Sequence, residues 1–422
     1  MSGPLPVKAA TDVIREHRSP VSGEILGQAA DIVETVRSEG EDALRRYSEG
    51  FGDIGEGQAI VLDRSALRGA VDDIDGETGD LLERIADRVR NFATAQLGAL
   101  VAIDVAVDGG RAGHSLNPVR SVGAYAPGGR HPLPSSVLMT VIPARVAGVE
   151  QVWVASPRPT PVTLAAAGIA GADGLITIGG AQAIAALAFG TVSPACDMVV
   201  GPGNAWVTAA KKHLYGEIGI DGLAGPSEIV VIADRDADPA LVAADLLAQA
   251  EHDPSAQPML IATDAALLDA VQLELTQQLE DLPTASVARS ALSRGFAVAV
   301  DSVDDAASIS EHLAPEHLAL HVADPEEVSR QLTAYGSLFI GDASAEALAD
   351  YGVGPNHVLP TGGGARFQSG LSVFTFLRTP TWLRIDNAST TASDAALLAR
   401  LEGLEAHARA ALRRSDVFRT VL

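Results

Sequence analysis

From Val152 onward the chain repeats one unit: a short run of apolar residues, a turn, and a stretch with helical spacing. The runs are Val152-Trp153-Val154-Ala155, Leu175-Ile176-Thr177-Ile178, Met198-Val199-Val200 and Ile229-Val230-Val231-Ile232, followed by Met259-Leu260-Ile261, Phe296-Ala297-Val298-Ala299-Val300, Leu318-Ala319-Leu320 and Leu338-Phe339-Ile340. Short continuous apolar runs, rather than alternating ones, belong to strands covered on both faces, and parallel strands need helical crossovers between them. Two α/β units of doubly wound type are the simplest account. Upstream, from about Gly23 to Leu100, apolar residues recur at helical spacing among dense charges, as in Ile25, Ala29, Ile32, Val33, Val36 and Leu81, Leu82, Ile85, Val89. After Thr379 the strand signal stops, and Ser393 to Leu412 reads as a helical C-terminal piece.

The 422 residues are 47% apolar and 20% charged, enough for two or three cored domains at roughly 150 residues each. The formal net charge of −24 argues against phosphate backbones and anionic lipid as partners, so neither nucleic acid nor membrane is expected. Cys196 is the single cysteine, which excludes intrachain disulfides, thiolate zinc sites and iron–sulfur clusters, and is read as packing. Any metal must therefore use nitrogen and oxygen ligands. The most apolar long stretch, Ser135–Ser156, is interrupted by Arg145 and Glu150, and the N-terminal residues lack the apolar core of a secretory leader. A cytoplasmic protein is expected.

Three segments carry possible chemistry. A helix over 238–252 ends at Gln249-Ala250-Glu251-His252-Asp253-Pro254 and puts Gln249 and His252, at i and i+3, on one face, where they can hold one ion or ligand between them. A histidine at a helix end is equally an ordinary cap. Pro315-Glu316-His317-Leu318 sets an acid and an imidazole side by side at a strand entrance, where extended backbone would point them oppositely. A polar strand entrance is the plain alternative. Asp350 through Gly364 is too rich in glycine and proline for regular structure and reads as a shaped loop, with Asp350 and His357 both feasible zinc ligands or hydrogen-bond caps. Two glycine turns, Gly179-Gly180-Ala181-Gln182 and Gly201-Pro202-Gly203-Asn204, open helical runs whose amides could suit a diphosphate, although the G-x-G-x-x-G dinucleotide fingerprint is absent.

Taken together, these segments resemble the histidinol dehydrogenase family, zinc- and NAD-dependent enzymes of histidine biosynthesis. The resemblance runs in order through Tyr125-Ala126-Pro127-Gly128-Gly129, Pro134-Ser135-Ser136-Val137-Leu138-Met139, the two glycine turns, Ile218 through His252 with Asp221 and Gly225-Pro226-Ser227-Glu228, then Ala314-Pro315-Glu316-His317-Leu318, Gly354-Pro355-Asn356-His357 and Glu402-Gly403-Leu404-Glu405-Ala406-His407. It departs at His131 and Leu133, in a variable stretch, and at Trp206, where a smaller aromatic is commoner.

The resemblance implies two incomplete Rossmann-like domains with small helical N- and C-terminal pieces: an N-terminal segment over 1–19, one domain from 20–123 and 234–371, an NAD-contacting domain over 124–233, and a tail over 372–422 that reaches the partner subunit. It implies zinc on Gln249, His252, Asp350 and His407; catalysis by Glu316 and His317; substrate contacts from Ser227, Glu402, His317 and the zinc ligands; and NAD contacts from Tyr125, Gln182 and Asn204. His357 is then structural. The implied reaction is a four-electron oxidation of L-histidinol to L-histidine through bound histidinal with two NAD, in a homodimer with shared active sites. The competing readings are a paralogous zinc and NAD dehydrogenase of another small alcohol such as a dihydroxypropane sulfonate, a zinc hydrolase, or a catalytically silent homologue.

Overall fold

The computed structural model describes residues 3–13, 21–128 and 132–415. Gly129, Arg130 and His131 of the glycine-proline stretch lie outside the described residues, as do parts of both termini.

Two six-stranded sheets organise the molecule. Sheet I contains the parallel strands Ser121–Tyr125, Gln151–Ala155, Gly174–Ile176, Met198–Val200 and Gly219–Ile220. Numbered along the chain, they stand in the order 3-2-1-4-5, with the antiparallel strand Val61–Asp63 outside the third. Sheet II contains Glu228–Ala233, Gln257–Ala262, Phe296–Ala299, His317–His321 and Ser337–Ile340 in the same order, 3-2-1-4-5, with Val7–Lys8 paired parallel outside the third. Every strand foreseen from Val152 to Ile340 is present. The common order gives each sheet a reversal of connection between its first and fourth strands, where a crevice opens.

Both faces of each sheet are buried, which is why the runs are continuously apolar: Val122, Val154 and Leu175 face one core and Ile176, Ile178 and Val199 the opposite one. In sheet II, Ile229, Val231 and Leu260 pack on one face and Val230, Ile232 and Ile261 on the other. Cys196 packs in sheet I's core, and burial pushes its thiol up to about 12, which keeps it protonated and inert.

Strand pairing divides the chain elsewhere than the expected boundaries. Val61–Asp63 and Ser121–Tyr125 pair within sheet I, not with 234–371, and Glu228–Ala233 is central to sheet II. Helices Gly23–Glu39 and Gly76–Gly98 likewise pack on sheet I's helices. A strand belongs where its N–H and C=O groups find partners, and that partner is set by pairing far along the chain.

The tail also differs from expectation. Thr381–Ile385 is a strand, antiparallel to Gly110–His114, which in turn pairs with Ile103–Val107. The helical stretch is broken at Gly403, whose φ of 77° suits glycine, into Thr391–Leu401 and Glu405–Leu412. Leu397, Leu398, Leu401 and Leu404 are exposed on it. Among the described residues no helix is long and apolar enough to cross a membrane.

Candidate active site

One cleft of about 1360 Å³ lies between the sheets, larger than the roughly 300–1,000 Å³ of a single-ligand pocket. Tyr125, Gln182, Asn204, Ser227, His252, Glu316, His317, Asp350 and Asp53 all line it. Sheet I presents the carboxyl ends of its strands to this cleft: Tyr125 ends the first, and Gly201 follows the fourth. Sheet II presents the opposite ends, since Glu228 and His317 each begin a strand. The carboxyl-end rule for ligands in such sheets therefore describes one wall only.

His317 is the best-defined group. The helix Val303–Leu313 ends at Ala314, which is fully buried in a left-handed turn with φ 52°, and Pro315 then leads into the strand. The ring of His317 stacks on Phe339 at 5.9 Å. Its Nδ1 lies 3.0 Å from Gln249 Oε1 and 3.3 Å from the Glu228 carbonyl oxygen. Both are acceptors, so Nδ1 carries the hydrogen and donates, leaving the Nε2 lone pair free. Nε2 is buried without a hydrogen-bond partner, 4.0 Å from Asp350 Oδ1. Burial lowers the imidazole to about 3, so it is neutral near neutral pH and its Nε2 lone pair is unprotonated.

Glu316 does not point away from His317 as extended backbone would require, because the strand starts only at His317. Its Oε2 lies 3.8 Å from His317 Nδ1 and accepts from Glu228 N–H at 2.9 Å. Burial, then the charges of Glu228 and Asp350, raise this carboxyl well above its ordinary value. Glu228 accepts from Gly362 N–H at 2.9 Å and is pushed by burial to about 7.

The Pro239–Ala250 helix starts from an Asp238 cap and buries Val242, Ala243, Leu246, Leu247 and Ala250 together with Gln249. His252 falls in the turn beyond its end, so the two do not share a helix face: Gln249 is fully buried behind His317, and His252 faces the cleft. Asp350 sits not in irregular loop but in a π-helical turn, Ala349–Val353, a form often found at functional sites. Burial pushes it to about 7. His357 links the same loop to sheet I, donating through Nδ1 to the Asp350 carbonyl at 3.1 Å and meeting Ser136 Oγ at 3.3 Å through Nε2.

Directly below, His321 bonds Asp245 and Asp342 at 2.9 Å each. His321 and Asp245 lie four residues from His317 and Gln249 on the same strand and helix, and Asp342 lies four before Glu346 in the turn after Ser337–Ile340, so they tie together the segments that carry the site.

The glycine turns are closed rather than open. Asp53 Oδ2 accepts from Gly179 N–H at 3.0 Å and Gln182 Nε2 at 3.2 Å, and Asn204 Oδ1 accepts from the amides of Trp206 and Val207. Gly201 has φ 109°, and a Cβ there would stand 2.1 Å from the Tyr125 carbonyl oxygen, so the turn needs glycine for close approach of the strands. The amides of Gly179, Trp206 and Val207 are thus satisfied within the chain.

Glu402 and His407 are exposed on the tail and do not line the cleft of their own chain. Sequence reasoning missed Asp53, Glu228 and Glu346. Glu346 had a signal, its spacing of four from Asp350, and Glu228 stood beside Ser227, but nothing local linked Asp53 to Gly179.

Two parallel α/β sheets of equal order, facing each other over a cleft that joins a neutral imidazole base to buried acids, define a two-domain Rossmann-like enzyme. A family model described as Histidinol dehydrogenase matches residues 16–415. Histidinol dehydrogenase of Thermus thermophilus is 47% identical over 383 residues, covering 90% of this chain and 92% of the relative. That of Haloarcula marismortui is 45% identical over 394 residues, 92% of each. The crystal structure of histidinol dehydrogenase from Elizabethkingia anophelis superposes with a TM-score of 0.91 at 30% identity, covering 98% of each chain. The chain belongs to the histidinol dehydrogenase family of oxidoreductases.

Proposed function

We propose that this protein oxidises L-histidinol to L-histidine by way of histidinal, using zinc and two NAD, as the last steps of histidine biosynthesis in the cytoplasm. The observation that carries this reading is His317: Nδ1–H held by two carbonyl oxygens, Nε2 unpartnered and directed to the cleft side occupied by Asp350.

The residues fit the implied groups. His252 and Asp350, with Gln249 adjoining, would hold zinc; Asp350 Oδ1 is a buried atom with no hydrogen-bond partner, and the residues offer only nitrogen and oxygen donors. Tyr125, Gln182 and Asn204 line the sheet I side, where NAD would lie. When bound, zinc orients and polarises the substrate and NAD accepts hydride. His317 Nε2 takes the hydroxyl proton in the first oxidation. Glu316 takes the proton of the water that adds to the aldehyde carbon, and its raised proton affinity makes it the stronger base once ionised. Ser227 lines the substrate beside them.

Glu402 and His407 reach no cleft in their own chain, while leucines are exposed beside them. This supports a homodimer in which the partner's His407 completes the zinc ligands and the partner's Glu402 meets the substrate.

The test is NADH absorbance on mixing protein, L-histidinol and excess NAD, before and after chelation and zinc return. Two NADH per histidinol, lost to the chelator and restored by zinc, is expected. No NADH from a zinc-loaded dimer would refute the substrate.

A further inference from the structure

Behind the cleft lies a second cavity, of about 130 Å³, to which the reaction above gives no role. Ser227, Glu316 and His357 line both cavities and so form the wall between them. His357 is fixed in that wall with both ring nitrogens engaged, and Glu316 is held by the Glu228 N–H. The remaining walls are polar. The buried ion pair of Lys211 and Asp221 lines the cavity, Gln368 Nε2 donates to the Asp221 carbonyl oxygen, and the Thr361 hydroxyl accepts from Gly225 N–H at 2.6 Å. Ser369 also lines it and is exposed, so the cavity reaches the surface at a residue that does not line the cleft. Cavities walled by polar groups hold water, and at roughly 30 Å³ each about four molecules fit. The cleft is a poor source once substrate and dinucleotide fill it, because a site that closes on its ligands expels water. The aldehyde stage nevertheless consumes a water at Glu316.

We propose that this cavity is the water supply of the second oxidation, feeding Glu316 from behind while the cleft is occupied. It rests on the histidinol reading and extends it. The water's oxygen bonds to the aldehyde carbon as the carbonyl π pair moves onto its own oxygen, and the water's proton passes to Glu316. The alkoxide so formed loses hydride to the nicotinamide, which is reduced, and Glu316 returns its proton to a cavity water, which carries it to solvent.

The test fills the cavity from residues outside the catalytic machinery. Ser369→Leu and, separately, Leu223→Phe add apolar volume to its lining. NADH formation is followed by stopped flow, with L-histidinol for the first hydride and with supplied histidinal for the second. Histidinal oxidation is expected to slow at least about tenfold, toward the roughly hundredfold of a lost general base, while the first hydride transfer keeps its wild-type rate. Crystal structures give a readout apart from activity: ordered waters between Glu316 and Lys211 in the wild type, displaced by the new side chain in the variants. Wild-type histidinal oxidation by a variant whose cavity is filled would overturn the proposal, and so would equal slowing of both stages, the mark of a displaced active site. Where leucine at 369 turns outward or the variant does not fold, Leu223→Phe decides by the same criteria. A wild-type cavity without ordered water removes the proposal alone, whereas a wild type that holds the waters yet forms no NADH from histidinal removes the reading beneath it.

Discussion

The turn that carries Asn204 hangs on a buried ion pair, and that pair gives a sharp test of how the NAD side of the cleft is built. Lys211 and Asp221 side chains are 3% and 5% exposed and directly bonded to each other. Lys211 also donates to the Gly201 carbonyl at 3.1 Å, and Asp221 accepts from Gly201 N–H at 2.6 Å. Both partners thus grip the glycine that brings the turn against Tyr125. Lys211→Met fills the same space but leaves Asp221 buried and uncompensated, which costs about 3–5 kcal/mol. Adding Asp221→Asn removes the charge while its carbonyl oxygen still accepts from Gly201, so the double variant should lie only about 1–2 kcal/mol below wild type, the scale of one imperfect buried hydrogen bond. Urea unfolding followed by tryptophan fluorescence reads this region, since Trp153 and Trp206 both belong to the sheet I unit. The single variant should lower the midpoint by roughly 1–2 M at a slope of about 2.5 kcal/mol/M, and the double should recover most of it. Loss of stability that the second substitution fails to restore would refute the charge argument and leave packing as the cause.

Three further outcomes are expected. His317→Asn should suppress both oxidations by about two to four orders of magnitude, while Glu316→Gln should slow mainly the oxidation of supplied histidinal; equal loss of alcohol oxidation in both would refute the division of roles. Burial pulls His321 down, but its hydrogen bonds and charge pairing with Asp245, then Asp342, raise it above 6.5 overall, so its stabilising share is complete below that value and fades as pH rises through the raised one. The melting-temperature gap between wild type and His321→Asn should therefore narrow from about pH 6 to about pH 9, and a constant gap would refute it. If sites are shared, mixing His317→Asn and His407→Ala subunits should restore about a quarter of wild-type activity, because half the dimers form and each has one intact site; no recovery would argue against the swapped tail.

Much of the site was legible because its residue types sit in short local patterns. The Glu316-His317 pair, the helix end at Gln249 and Asp350 in its glycine-rich segment all stood out. The sequence could not say that Glu316 turns toward its neighbour, since that depends on where the strand begins. Nor could it separate Gln249 from His252, because a helix that stops two residues early sends one inward and the other to the cleft. The Thr381–Ile385 strand was passed over because an antiparallel strand exposed on the molecule lacks the apolar run that marked the others.

The sequence by itself determined the two doubly wound units, for continuous apolar runs between amphipathic helices can be buried in few other ways. It also determined the chemistry available, all nitrogen and oxygen, from a single cysteine. Only the tertiary structure decided that the carboxyl ends of one sheet face the amino ends of the other, that His317 offers Nε2 rather than Nδ1, and that Asp53 closes a helix start more than a hundred residues away. Local pattern follows from neighbours in the chain. Protonation, burial and hydrogen-bond partners follow from what other elements bring against a residue, and at this cleft those elements come from opposite ends of the sequence.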